Sequence, residues 1–206
     1  MDVNFRPARP EDAEPMVPLV YSSGPAVFDY VFSHQTKVSA KEYLYRTLQQ
    51  PAGEFGYKSH IVGTIDEKVV AAGAGFTGAT TFPFFISAVK QIFGTYGLIG
   101  GINVSRRGLQ TEGVIKPPKG NEFAVLHLGV DPEMRGHGIG EKMVNHLLAQ
   151  GRESGGTKAV LDVSVENPRA EALYDRMGFV VEKEMESNYA NHTGRVMNHR
   201  RMVLDM

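Results

Sequence analysis

The segment from residue 122 to about 153 limits the possible folds more than any other. A continuous apolar run from Glu122 to Val130 passes through a loop, Asp131 to His137, into Gly138-Ile139-Gly140 and an amphipathic stretch reaching about Arg152. Nine such residues suit a buried strand, and apolar residues at three- and four-residue spacing suit a helix. A buried strand must lie within a sheet, and a one-sided helix must cover a face of it. Gly155-Gly156 ends the helix, and Ala159 to Val165 reads as the next strand. Asn167-Pro168 opens a second helix that runs through Met177 to Gly178, and strands near Phe179 to Glu186 and Asn198 to Leu204 close the chain. Strand, helix, strand, helix, strand predicts a partly parallel sheet with helices on its faces.

The first half is compatible. A short strand is expected near Val3 to Arg6, then a helix from Pro10-Glu11-Asp12 to about Tyr21, broken by Gly24-Pro25. Another helical run lies near Phe28 to Phe32, and a third starts at Ser39, with Glu42 placed for a capping box. Lys58 to Ile65 and Val69 to Phe76, joined by Asp66-Glu67-Lys68, read as a hairpin. Phe82, Phe85, Ile86, Val89, Ile92, Phe93 and Tyr96 recur at helical spacing, whereas Gly94 to Gly120 shows no clear period. The whole, residues 1–206, reads as one domain with an insertion at about 80–120. The apolar face of that insertion suits core packing first, then an acceptor pocket or a homodimer contact.

Composition narrows the partners. With 22 basic and 23 acidic side chains the formal charge is −1, so no concentrated basic field points to nucleic acid or to a membrane surface. The absence of cysteine removes disulfides, thiolate metal sites and a cysteine nucleophile. No signal peptide is visible, which makes the cytoplasm the expected location. Phe82 to Val104 is interrupted by Lys90, Gln91 and four glycines and reads as non-spanning. His34, His60, His137, His146, His192 and His199 show no paired helical spacing of a metal site.

The glycine loop carries the chemistry. Glycines let a ligand approach the backbone closely, and the first amides of a helix have no intrahelical acceptor and sit at the positive end of its dipole. A phosphate is the natural partner, with Arg135 as a charged contact. Glu141 stands where a dinucleotide fingerprint needs a third glycine, and no Gly-Lys-Ser/Thr follows, so neither nucleotide motif is present.

Val130-x-Pro132-x-x-Arg135-Gly136-x-Gly138-x-Gly140, followed by Asn167-x-x-Ala170-x-x-Leu173-Tyr174-x-x-x-Gly178-Phe179, resembles the GNAT N-acetyltransferase superfamily over about residues 120–206. The resemblance implies an α/β (α+β) GNAT fold: a mixed, mostly antiparallel central sheet with a splayed parallel strand pair and helices on both faces. It implies acetyl-CoA as acyl donor, without a metal, its arm against Leu128 and Val130 and near Asn167. The pyrophosphate would rest on the amides of Arg135, Gly136, His137, Gly138, Ile139 and Gly140. Tyr174 would lie near the sulfur.

The chemistry agrees. Transfer from a thioester to an amine needs a neutral amine, a donor for the oxyanion and a proton for the thiolate. An amide near Leu128 suits the second need, and Tyr174 suits the third because a phenol stays protonated at neutral pH. Glu122 is the candidate base, set against a solvated charge at a strand start. His127 reads as a core histidine before it reads as a base. Strand alternation puts Glu122, Ala124, Leu126 and Leu128 on one face and Phe123, Val125 and His127 on the other, unless a bulge intervenes. Asp131 is expected to stabilise its turn. The expected function is N-acetyl transfer to a primary amine, of a small molecule or a peptide, by direct transfer. A non-catalytic acyl-CoA sensor is the alternative, and a longer acyl donor is a variant. The acceptor itself is not legible.

Overall fold

The structure, a computed structural model, describes residues 2–33 and 37–206; His34 lies outside them. Among the described residues seven strands form one sheet, in the order β1-β2-β3-β4-β5-β7-β6. They are β1 (Asn4–Pro7), β2 (His60–Ile65), β3 (Lys68–Thr77), β4 (Glu122–Val130), β5 (Lys158–Ser164), β6 (Val180–Met185) and β7 (His199–Asp205). Only β4 and β5 run parallel; every other neighbouring pair is antiparallel.

Helices cover both faces. On one face α5 (Ile139–Glu153) buries Ile139, Met143, Val144, Leu147 and Leu148 against Phe123, Val125 and Leu161, and α6 (Pro168–Arg176) joins it through Tyr174. On the other, α1 (Ala13–Ser22) and α3 (Ala40–Leu48) bury Met16, Leu19, Val20, Tyr43, Leu44 and Leu48 with Val62 and Ala72. Each fully buried side chain of this size contributes about 1.5–3 kcal/mol. The Ser39 hydroxyl caps α3 as expected, accepting from the Glu42 amide at 3.2 Å, but the Glu42 carboxylate accepts from Arg46 and does not close the capping box. The expected run near Phe28 is α2 (Pro25–Phe28) followed by a π-helical turn, Asp29–Ser33.

The approach of α1 to the sheet is set by one glycine. A Cβ on Gly129 would stand 2.1 Å from the Leu19 carbonyl oxygen. Gly129→Ala is therefore expected to push α1 off β4, lowering unfolding free energy by about 1–3 kcal/mol in urea denaturation. A midpoint matching the parent would show that the helix yields without cost.

The insertion is more ordered than its sequence suggests. One helical element, α4 (Thr81–Thr111), continues past Gly94 and kinks at Gly97, where φ is 67 and ψ −171. The lack of a period in its second half has a physical cause: Gly100 and Gly101 provide room for Tyr96 and Phe93 next to the kink, so side-chain size rather than periodicity sets the packing. By length and hydropathy the helix could cross a membrane. Both halves are nevertheless tied to the body: the Gln91 amide donates to the Ala52 carbonyl at 2.9 Å, the Tyr96 hydroxyl to that of Phe32 at 3.1 Å and Arg107 to that of Val31 at 2.9 Å. Arg107 is thus buried, while its neighbour Arg106 is exposed. The apolar face divides as well. Ile92 and Tyr96 pack inward, whereas Phe82, Phe85, Ile86, Leu98 and Ile99 are exposed.

Candidate active site

The site begins where the parallel pair comes apart. β4 and β5 are in register only at Glu122↔Lys158, Phe123↔Ala159 and Ala124↔Val160. From Val125 onward β4 pairs only with β3, and from Leu161 onward β5 pairs only with β7. The facing edges of residues 125–130 and 161–164 thus carry backbone donors and acceptors that do not serve each other. A parallel ladder that opens this way needs a third party, or water, between its edges.

A bulge marks the same point. Ala72 opposes Gly129 and Ala74 opposes Leu126, so His127 and Leu128 together face Gly73 alone. His127 takes the left-handed conformation, φ 56, that such an extra residue needs. This shifts the period of two. Leu128 and Val130 join Phe123 and Val125 on the α5 face, and His127 turns toward Phe28, Phe55 and His60 on the other. Simple alternation therefore assigns Leu128 and His127 to the wrong faces, and the added residue is the reason.

Beside the opening stands the start of α5. The Asp131 carboxylate accepts from the Glu133 amide at 2.9 Å and closes the turn. Gly136 and Gly138 follow at φ 85 and 74. The first amide to close a helical bond is that of Lys142, onto the Gly138 carbonyl at 3.0 Å. The amides of Ile139, Gly140 and Glu141 precede it without a helical acceptor, and Gly138 offers no side chain to cap them. Arg135, Gly136, His137 and Gly138 are exposed, and Arg135 folds back so that its Nε donates to the Val130 carbonyl at 3.1 Å. The result is a ledge of free amides at the positive end of a fifteen-residue helix.

Between the strands lies a cavity of about 390 Å³, lined by Leu126, His127, Leu128, Asn167 and Tyr174 among others. Asn167 caps α6 by accepting from the Ala170 amide at 3.1 Å. Tyr174 is buried edge-to-face against Phe179, and burial pushes its phenol up to about 12. Glu122 is not brought to the cavity: its carboxylate accepts from Arg201 and from the Lys119 amide, both at 3.0 Å, at the paired end of β4.

Sequence reasoning missed three cavity groups. Asp162, on β5, accepts through Oδ2 from the Lys116 amide at 3.2 Å and from Arg201 at 3.1 Å, while its buried Oδ1 has no partner. An acid inside an otherwise apolar strand run was the available signal. Burial, opposed by Arg201, holds this carboxyl up at about 6. Because that lies above the unfolded value, its contribution to stability is complete below pH ~4 and lost as pH rises through ~6. Between pH 4 and 7 the parent is expected to lose up to about 3 kcal/mol relative to Asp162→Asn, read from paired urea titrations. Parallel curves for the two proteins would contradict the assignment.

The other two are Glu54 and Glu112, contributed by the segment after α3 and by the end of α4. Burial and the neighbouring Glu54 raise the Glu112 carboxyl. Glu54 Oε1 lies 3.4 Å from His127 Nε2. Nothing in their spacing along the chain pairs either with β4. Among the described residues no group of three or more histidine or acidic side chains is arranged for a metal ion.

A splayed parallel pair, a bulge at its opening and an uncapped helix start beside it form an open wedge in a mixed α/β sheet. The family model described as acetyltransferase (GNAT) family matches residues 30–179, and the chain belongs to that family. Over 63 residues it is 36% identical to the 5-NmdU N-acetyltransferase of Pseudomonas phage PaMx11, a match that takes in 31% of this chain and 43% of that protein. The chain thus spans under half the length of this curated relative. An N-acetyltransferase from Staphylococcus aureus Mu50 superposes with a TM-score of 0.70 at 19% identity, covering 98% of this chain and all of that one. The structure of yncA from Salmonella typhimurium, which includes its cofactor acetyl-CoA, superposes with a TM-score of 0.57 at 15% identity, covering 100% and 94%.

Proposed function

We propose that the chain transfers an acetyl group from acetyl-CoA directly to a primary amine. The observation that carries this reading is the unpaired facing edges of β4 and β5, which run from the bulge at His127 toward the free amides of α5. An extended arm with peptide-like groups satisfies such edges, and a diphosphate satisfies such amides. The coenzyme supplies the activated acyl group; the chain orients it, lends charge at two points and handles protons.

Residues Gly136 to Glu141 hold the diphosphate, and Leu128, Val130 and Asn167 flank the arm. The Leu128 amide, at the bulge where two residues face Gly73 alone, is the donor for the oxyanion. Tyr174 has a narrower part than a simple acid. At about 12 its phenol holds its proton more tightly than a thiol of ~8.5, so complete transfer is uphill by about 5 kcal/mol. It acts by donating a hydrogen bond to the sulfur as charge develops there. The cavity floor is apolar and aromatic, with Phe28, Phe32 and Phe55, and its titratable rim is mostly acidic, with Glu54, Glu112 and Asp162 against Lys116. That balance favours a cationic amine on an apolar body.

A thiol-release screen of the purified chain with acetyl-CoA tests this, across amino acids, aralkylamines, diamines and peptides. Release with apolar monoamines or diamines is the expected result. Coenzyme uptake with no release on any amine would instead support the sensor reading.

A further inference from the structure

Resting on the acetyl-transfer reading, we propose that His127 is the base that frees the acceptor amine, its tautomer fixed by buried His60 and its Nε2 facing Glu54. The hydrogen bonds from Gly56 through His60 to His127 admit one arrangement of protons. His60 Nδ1 lies 2.9 Å from the Gly56 carbonyl, which only accepts, so that nitrogen carries a proton. Burial, with His127 adding to it, pushes the His60 imidazole down to about 3, so the ring is neutral and its Nε2 has only a lone pair. His127 Nδ1, 3.1 Å away, must then be the donor. In a neutral ring this leaves His127 Nε2 as a lone pair, on the side where Glu54 Oε1 stands at 3.4 Å. Two acceptors face each other, so a proton delivered to Nε2 is shared with Glu54.

The ring is packed on both sides in this pose. It stacks on Phe55 at a centroid distance of 4.9 Å and on His60 at 5.2 Å, and its backbone is set by the bulge. His127 lines the cavity between Leu126 and Leu128, next to the amide assigned to the oxyanion. The titratable groups around it are His60 from β2, Glu54 from the segment after α3 and, behind Glu54, Glu112 from α4. A lone histidine is ordinarily a core residue; here the partner on one nitrogen leaves the other with the ring's lone pair.

The step balances. An arriving ammonium gives one proton to His127 Nε2, beside Glu54 Oε1, and that proton then passes to solvent. The neutral amine forms the C–N bond as the C–S bond breaks. The amine's second proton is lost in that exchange and ends on the departing thiol. Amide, thiol and one released proton are the products.

The full chain is tested with acetyl-CoA and the amine that the screen identifies. His127→Asn keeps a residue at ease with φ near 56 and removes the base. Its kcat is expected to fall about 100-fold or more, with acetyl-CoA affinity by calorimetry unchanged within about twofold. The loss should shrink to a few-fold for a weakly basic analogue of the same amine, already neutral at the assay pH. Glu54→Gln, a positioning variant on the exposed side, should lose about tenfold with the same dependence on amine basicity. An unchanged kcat, or equal losses on both amines, would overturn the role. Long-range heteronuclear NMR of the two imidazoles needs no acceptor. Protons on Nδ1 of both rings are expected, and a proton on His127 Nε2 with Nδ1 bare would refute the relay. Should no amine react, the acetyl-transfer reading fails, while this spectrum still decides the proton chain.

Discussion

Gly138→Glu is expected to weaken acetyl-CoA binding by at least about 100-fold, roughly 3 kcal/mol, in a calorimetric titration of the folded variant. Two effects combine. Glycine at φ 74 is replaced by a residue that resists the left-handed region, at about 1–2 kcal/mol. A carboxylate is also set among the amides of Ile139 to Glu141, where it occupies the anion position and repels a diphosphate. Nothing lies within 4 Å of a Cβ at Gly138, so the side chain fits without disturbing the core. Gly138→Ala separates the causes: it keeps the strain and adds no charge, so its loss should be the smaller part, about 5- to 30-fold. If the glutamate variant binds like the parent, the diphosphate lies elsewhere.

Tyr174→Phe should lower kcat by about 10- to 150-fold, the worth of one hydrogen bond to a charged sulfur, about 1.5–3 kcal/mol. Acetyl-CoA affinity should hardly move, because the bond strengthens only as the thiolate forms. The phenol sits against Phe179 in a buried wall, and phenylalanine preserves that edge-to-face contact. Affinity and kcat falling together would make Tyr174 a packing residue and nothing more.

Where local chemistry decides structure, the sequence could be read closely. The strand from Glu122 to Val130 has the expected bounds, and Asn167, Ser39 and Asp131 cap as their residue types suggest. The glycine loop and α6 were visible for the same reason: caps and φ-positive turns leave residue-type signatures. Long-range geometry left no such trace. His127 breaks the alternation of β4 with a residue that gives no warning of a bulge, and this reverses the side on which Leu128 lies. His60 and Glu54 meet His127 only through a hairpin and a loop that are distant in sequence. Glu122 had the right residue type on the right strand, yet Arg201, 79 positions away, takes its carboxylate at the paired end. The second half of α4 hid its helix because Gly100 and Gly101 serve contacts rather than a period.

A crystal structure of the chain with acetyl-CoA tests the wedge directly. The diphosphate is expected on the amides between Gly136 and Glu141, with the arm lying between residues 125–130 and 161–164 and the thioester reaching His127 and Leu128. Strand edges that close on each other while the coenzyme binds elsewhere would contradict it.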